Sequence, residues 1–138
     1  MKEQFLVTDT HPLIWYMARQ DAKLPKKVLS AFKSAQAGDG THIWVPAAVA
    51  WELSLLMRKT DRVSAIGSYK ELLEDNFFFK SVTLCEMGAD ELIIADRLHF
   101  NRDPFDSLIV ATAIKLDLPL ITADDAITDS RECRVFWS

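Results

Sequence analysis

Two hydrophobic rhythms alternate along the chain. Short runs that are apolar at nearly every position occur at Phe5-Leu6-Val7-Thr8, Ile43-Trp44-Val45, Phe77 to Val82 and Pro119-Leu120-Ile121-Thr122, with a last edge run at Arg134-Val135-Phe136. Such runs predict buried strands. Between them, apolar residues return every three or four positions. This spacing predicts helices from Thr10-His11-Pro12 to Ala18, Pro25 to Ala37, Pro46 to about Lys59, Ile66 to Asp75, Glu86 to Arg97 and Pro104 to Leu116. Prolines at or near the first position of four of these stretches fit helix starts, and Thr10 is available as a cap. Gly38-Asp39-Gly40 reads as a loop and Thr60 to Ser64 as a connector. Strands that alternate with helices and are apolar on both faces indicate a short, mostly parallel sheet covered on each side, a three-layer α/β/α sandwich. No repeat or low-complexity tract divides residues 1–138, so a single α/β domain is expected.

Composition narrows the class. Apolar residues make up 49% and charged residues 26%, as in a globular protein. Cys85 and Cys133 have no metal-ligand spacing and read as free thiols of a reducing compartment. The run Phe5-Leu6-Val7 is too short for a signal-sequence core. The apolar segment Ile43 to Met57 is interrupted by Pro46 and Glu52, so a cytoplasmic protein without a membrane span is expected. The net charge of −4 argues against binding nucleic acid by bulk electrostatics. It does not argue against a nucleic-acid enzyme whose acids are neutralised by a divalent ion. Basic residues do cluster, at Lys23, Lys26, Lys27 and Lys33 and at Arg58, Lys59 and Arg62; such groups are more often solvated helix faces than backbone-binding patches.

The acids carry the chemistry. In Asn101-Arg102-Asp103-Pro104-Phe105-Asp106, the proline makes Asp103 the N-cap of a helix and places Asp106 in its first turn, on the apolar side. Asp9 follows the first strand and Asp124 the fourth, and functional crevices of open parallel sheets lie outside the carboxyl ends of the strands. Each of these aspartates alone is a common cap or turn residue. Glu52 is not so readily explained, because its helical neighbours are Ala48, Val49, Leu55 and Leu56, with no cation at salt-bridge spacing. A buried carboxylate without a partner is costly, and a metal shared with Asp9 and Asp106 would supply one. All-oxygen donors favour Mg²⁺ or Mn²⁺. His11, His42 and His99 are dispersed and do not suggest zinc, and no phosphate-cradling glycine loop or serine nucleophile elbow is present. A carboxylate-held Mg²⁺ suits phosphodiester hydrolysis. Asp125 reads as a solvent-facing turn residue.

Four segments, Val7-Thr8-Asp9-Thr10-His11, Ala50-Trp51-Glu52-Leu53, Arg102-Asp103-Pro104-Phe105-Asp106 with Leu108-Ile109-Val110-Ala111, and Leu120-Ile121-Thr122-Ala123-Asp124, resemble the PIN-domain family. More narrowly, they resemble the VapC toxins of bacterial type II toxin–antitoxin systems. The resemblance spans almost the whole chain. It implies a PIN-like fold, Mg²⁺- or Mn²⁺-dependent endoribonuclease activity, a VapB-like antitoxin as partner and a homodimer. It implies Asp9, Glu52, Asp106 and Asp124 as the catalytic and metal-holding set, with Thr122 and Asp103 in support. The chain departs from the family pattern at Ser107, where relatives often carry a basic residue, at Asn101, where a histidine is common, and at Asp125, an extra acid beside Asp124. Two other readings are a non-catalytic PIN-like interaction module, in which the acids are caps, and a related metal-dependent DNA nuclease. A phospho-acceptor receiver domain fits poorly, because the first strand is not followed by paired acids and the third delivers no aspartate.

Overall fold

The computed structural model describes residues 3–59 and 67–138. Five parallel strands form one sheet, β1 (Gln4–Thr8), β2 (Thr41–Pro46), β3 (Val82–Cys85), β4 (Leu120–Ile121) and β5 (Val135–Phe136), in the order β3-β2-β1-β4-β5. The helices are α1 (Thr10–Met17), α2 (Lys26–Ala37), α3 (Ala47–Met57), α4 (Tyr69–Glu74), α5 (Ala89–Asp96), α6 (Pro104–Leu116) and α7 (Asp125–Ser130). This is the parallel, helix-flanked sheet that the alternating rhythm predicts. The strand order runs outward from β1 in both directions, so the chain reverses its winding between β1 and β4. That reversal is where an open α/β sheet leaves a crevice.

The core is one cluster on both faces of the sheet. Leu6 and Val7 of β1, Ile43 and Val45 of β2, and Leu120 and Ile121 of β4 are all buried, as continuous apolar runs in a doubly covered sheet should be. The α2 helix presents Val28, Ala31, Phe32 and Ala35 inward and ends at Gly38, in the left-handed conformation (φ +73°). A Cβ at Gly38 would sit 3.2 Å from that of Lys80, so the close approach of the β3 entry adds to the demand for glycine.

Three sequence expectations change. The run Phe77 to Val82 does not enter the sheet as a strand; β3 begins only at Val82. Asn76, Phe77 and Phe78 form a left-handed turn, with φ of +51°, +59° and +65°. Phe77 and Phe79 point into the core, and the following amides of Lys80 and Ser81 donate to the carbonyls of Gln36 and Ala35 at the end of α2. The backbone hydrogen bonds that a strand would give a neighbour go to a helix end instead. A second change is that Ala123-Asp124-Asp125 leads into helix α7, with Asp125 as its exposed first residue. A third is that Asp9, not Thr10, caps α1, its side chain accepting from the Thr10 amide at 2.7 Å. The connector Thr60 to Ser64 and the expected helix start at Ile66 lie outside the described residues.

Helix α5 inverts the usual polarity. Leu92 and Ile93 are each 53% exposed, whereas Glu91 is buried. The Glu91 carboxylate accepts from the Gly88 amide at 2.6 Å and meets the Lys115 ammonium of α6 at 2.5 Å. Hydrogen bonding to Lys115, then to Gly88, holds its pKa below the usual glutamate range despite burial. A lowered folded pKa contributes stability above the unfolded value and loses it as the pH falls through the folded one. Wild-type Tm is therefore expected to fall as acid is added below about pH 4.5. Glu91→Gln should be less stable at pH 7 and lose its deficit in that acid window. A deficit that does not change with pH would show that charge is not what Glu91 contributes.

Candidate functional site

The site forms where β1 and β4 lie side by side. Thr8 pairs with Ile121, and the Asp9 amide donates to the Ile121 carbonyl at 2.9 Å, which carries the parallel ladder one residue past the strand end. Asp9 is thereby held at the sheet edge and is 7% exposed. Its two carboxylate oxygens accept from the Thr10 amide at 2.7 Å and from the Thr122 hydroxyl at 2.7 Å. The same Thr122 oxygen accepts from the Asp124 amide at 3.1 Å, so one fully buried hydroxyl ties the two strand ends together. Asp124 caps α7, accepting from the Ile127 amide at 3.0 Å.

The other two acids come from α3 and α6. Glu52 is half-buried, and one of its oxygens accepts from the Thr10 hydroxyl at 2.5 Å. Asp103 caps α6, accepting from the amides of Phe105 and Asp106, and stays exposed. This is the part expected of it from helix-start chemistry. Asp106 is 8% exposed, and its carboxylate accepts from the Asn101 side-chain amide at 2.8 Å. Sequence reasoning missed the parts of Thr10 and Asn101. From sequence Thr10 reads as a cap, and Asn101 only as a departure from the family pattern. Their contacts are made across the fold or a loop, which periodicity does not register.

Burial raises the pKa of Asp9, of Glu52 and of Asp106, and for Asp106 the value reaches about 7. Hydrogen bonds from Thr122 and Thr10, from Thr10, and from Asn101 oppose the three shifts respectively. The remaining acids add to them: Asp124 acts on Asp9, Asp9 and Asp103 act on Glu52, and Asp103, Asp9 and Asp124 act on Asp106. The carboxylates therefore lie within electrostatic range of one another. No Lys or Arg among the described residues forms an ion pair with any of the four.

A divalent cation fits this donor set by its chemistry: hard oxygen ligands whose anionic forms repel one another and that have no Lys or Arg ion pair among the described residues, with His11 as the cation that opposes the shifts of Asp9 and Glu52. The geometry is looser than the chemistry. Among the described residues, no three His, Cys, Asp or Glu side chains converge closely enough to hold a metal ion between them. Mg²⁺ does not require such a cage, since one or two carboxylates with retained water suffice. Asp9 and Asp124 are the pair that share a hollow, a cavity of about 210 Å³ that His11, Pro12, Trp15 and Ala123 also line. Among the described residues no helix is long and apolar enough to cross a membrane.

A search of curated protein sequences finds no match to the chain. Among solved structures, it is similar to a chain of the VapBC2 complex from Rickettsia felis bound to a DNA fragment from their promoter. The two are 12% identical with a TM-score of 0.71, over 98% of this chain and 100% of that one. At that identity the likeness shows the fold. The PIN-domain family model matches residues 6–131, from β1 through α7, and so takes in all four acids. The chain belongs to the PIN-domain family.

Proposed function

We propose that the protein is a Mg²⁺- or Mn²⁺-dependent endoribonuclease and the toxin of a toxin–antitoxin pair, with Asp9, Glu52, Asp106 and Asp124 as its acidic set. The observation that carries this reading is the group of three buried or half-buried carboxylates at the β1–β4 crevice, each disfavoured as an anion and without a Lys or Arg ion pair among the described residues. PIN domains are in general nucleases, which supports the class of chemistry. One solved structure of similar fold is of a VapBC complex, which supports a VapB-like antitoxin as partner.

Asp9 and Asp124 would hold the ion from the sheet edge, with Glu52 and Asp106 facing it from α3 and α6. A cation held there would supply Lewis-acid chemistry suited to phosphodiester hydrolysis. The protein's own part is orientation and charge. Thr122 fixes Asp9, Thr10 fixes Glu52 and Asn101 fixes Asp106, so the carboxylates are placed before substrate arrives. In the absence of metal, burial and its acidic neighbours hold the pKa of Asp106 up at about 7, and a cation in the crevice would favour its anion. Asp103 adds negative charge from the helix cap beside it. The exposed Leu92 and Ile93 of α5 offer an apolar face for a second copy of the chain.

Calorimetric titration with Mn²⁺ at pH 8, paired with cleavage of RNA before and after chelation, tests the proposal. Binding heat, a raised Tm and metal-restored cleavage are expected, all lost in Asp9→Asn. Absence of both heat and cleavage would favour a non-catalytic module. Cleavage of single-stranded DNA in preference to RNA would favour a DNA nuclease.

A further inference from the structure

The acidic site poses a difficulty that the same face of the molecule answers. A protein of net charge −4 with four acids in its crevice repels the phosphates it is to cut. Beside that crevice, however, aromatic rings and lysines interleave. His11 and Trp15 line the cavity that contains Asp9 and Asp124. The His11 and Trp15 rings lie 6.0 Å apart between centroids, and Trp15 and Trp137 lie 6.3 Å apart. The Lys23 ammonium stands 5.5 Å from the centre of the Trp15 ring, and that of Lys27 stands 4.6 Å from the centre of Phe136. Lys27 and Phe136 in turn line a second hollow, of about 430 Å³. Both lysines are exposed, and neither forms an ion pair among the described residues. The three larger rings, Trp15, Phe136 and Trp137, are half-buried, fixed by the core on one side and open on the other.

We propose that this strip, from His11 and Trp15 at the acidic crevice through Trp137 and Lys23 to Phe136 and Lys27, is a track that binds single-stranded RNA. The inference rests on the ribonuclease reading and adds to it the residues that hold the substrate strand and the direction of its approach. Rings held at the edge of a site stack with bases of any identity, and ammonium groups between them neutralise phosphates. A duplex cannot use such rings, because its bases are already stacked on one another. In the free protein each lysine rests over a ring; when a base takes that face, the flexible stem carries the ammonium to the adjoining phosphate. The basic group at Lys23 and Lys27, read from sequence as a solvated helix face, thereby becomes part of the substrate path.

The test measures binding apart from cleavage. In an Asp106→Asn background, a labelled oligouridylate is titrated by fluorescence anisotropy in Mg²⁺ over a range of salt. Trp15→Leu is expected to weaken binding about 5- to 100-fold without changing the salt slope. Trp15→Phe should recover most of that loss. The exposed double variant Lys23→Ala/Lys27→Ala, which removes the two ammonium–ring contacts and leaves the rings themselves in place, should weaken binding and flatten the dependence of log K on log salt by about 1.4. Lys70→Ala, on the surface of α4, should have no effect. Unchanged affinity in both the Trp15→Leu and the double-lysine variants would overturn the track, as would an equal loss of double-stranded RNA binding in Trp15→Leu. Polyglutamate binding as tightly as oligouridylate, through the lysines alone, would overturn it in favour of an acidic polypeptide. If the wild type cuts RNA while these variants bind it normally, the track fails and the activity stands. If binding depends on Trp15 but the wild type cuts nothing, the activity fails and the track stands.

Discussion

Asp106→Asn is expected to lose RNA cleavage by about 10²- to 10⁴-fold, the range for removing a group that handles a proton or a charge in the transition state. The same variant should be more stable than the wild type at pH 8 in the absence of metal. Asp106 has a folded pKa of about 7 against an ordinary value of 3.8, because burial and its acidic neighbours disfavour the anion. Between those two values the folded protein keeps a proton that the unfolded chain has released. Stability therefore declines as pH rises through this window, and above it the full penalty of the buried anion remains. Asparagine carries no charge and can still take the Asn101 hydrogen bond. The variant's advantage in Tm should be large at pH 8 and small near pH 4. Cleavage at the wild-type rate would remove Asp106 from the chemistry. A Tm difference that is the same at both pH values would show that burial of the anion is not the cause. A carboxylate that costs stability in the resting protein and is kept all the same is characteristic of a functional group.

Phe32→Ala is expected to have the largest effect on folding, a loss of about 3–5 kcal/mol. Phe32 is fully buried in the middle of α2. Its ring stacks on Tyr16 at 5.1 Å and 12°, and meets Phe79 edge-on at 6.3 Å. It thus joins α1, α2 and the turn before β3 at a single point. Deleting it leaves a cavity bounded by rings that are themselves held by neighbours, so collapse can recover little of the loss. Urea unfolding should show a lower midpoint with an unchanged slope, and Phe32→Leu should cost markedly less. A loss for Phe32→Ala no larger than that of an exposed substitution would show that the three elements are held together elsewhere.

Much of this architecture could be read from local pattern. The sequence Asp-Pro-Phe-Asp specifies a capped helix start, and Asp103 and Asp106 occupy the predicted positions. β1 and β2 emerge because each is apolar on both faces, which a parallel sheet requires. Glu52 drew attention by lacking a cation within a helical turn, and the structure gives it Thr10, a residue 42 positions away, and no ion pair among the described residues. Glu91 drew none, although it is more deeply buried, because nothing local marks Lys115 as its partner. Phe77-Phe78-Phe79 has the composition of a strand. What prevents one is the use of the following amides at the end of α2, a long-range bond with no local signature. The family motifs point to the four acids and to Thr122, but not to the Thr10 hydroxyl or the Asn101 amide that bond Glu52 and Asp106. Those depend on register between distant segments.

The bond from Thr122 to Asp9 spans 113 positions. A growing chain that has Asp9, Glu52 and Asp106 in place still lacks the strand against which Asp9 is set, because β4 emerges after all three. Until the segment through Asp124 leaves the ribosome, the acid at the first strand has no fixed position, and the crevice at the winding reversal has only one wall. Local helices can form early, but the acidic edge depends on the most distant pairing in the sheet and is expected to form late. For a protein proposed to cut the RNA of the cell that makes it, this order of assembly would keep unfinished copies inactive beside the ribosome that is still synthesising them.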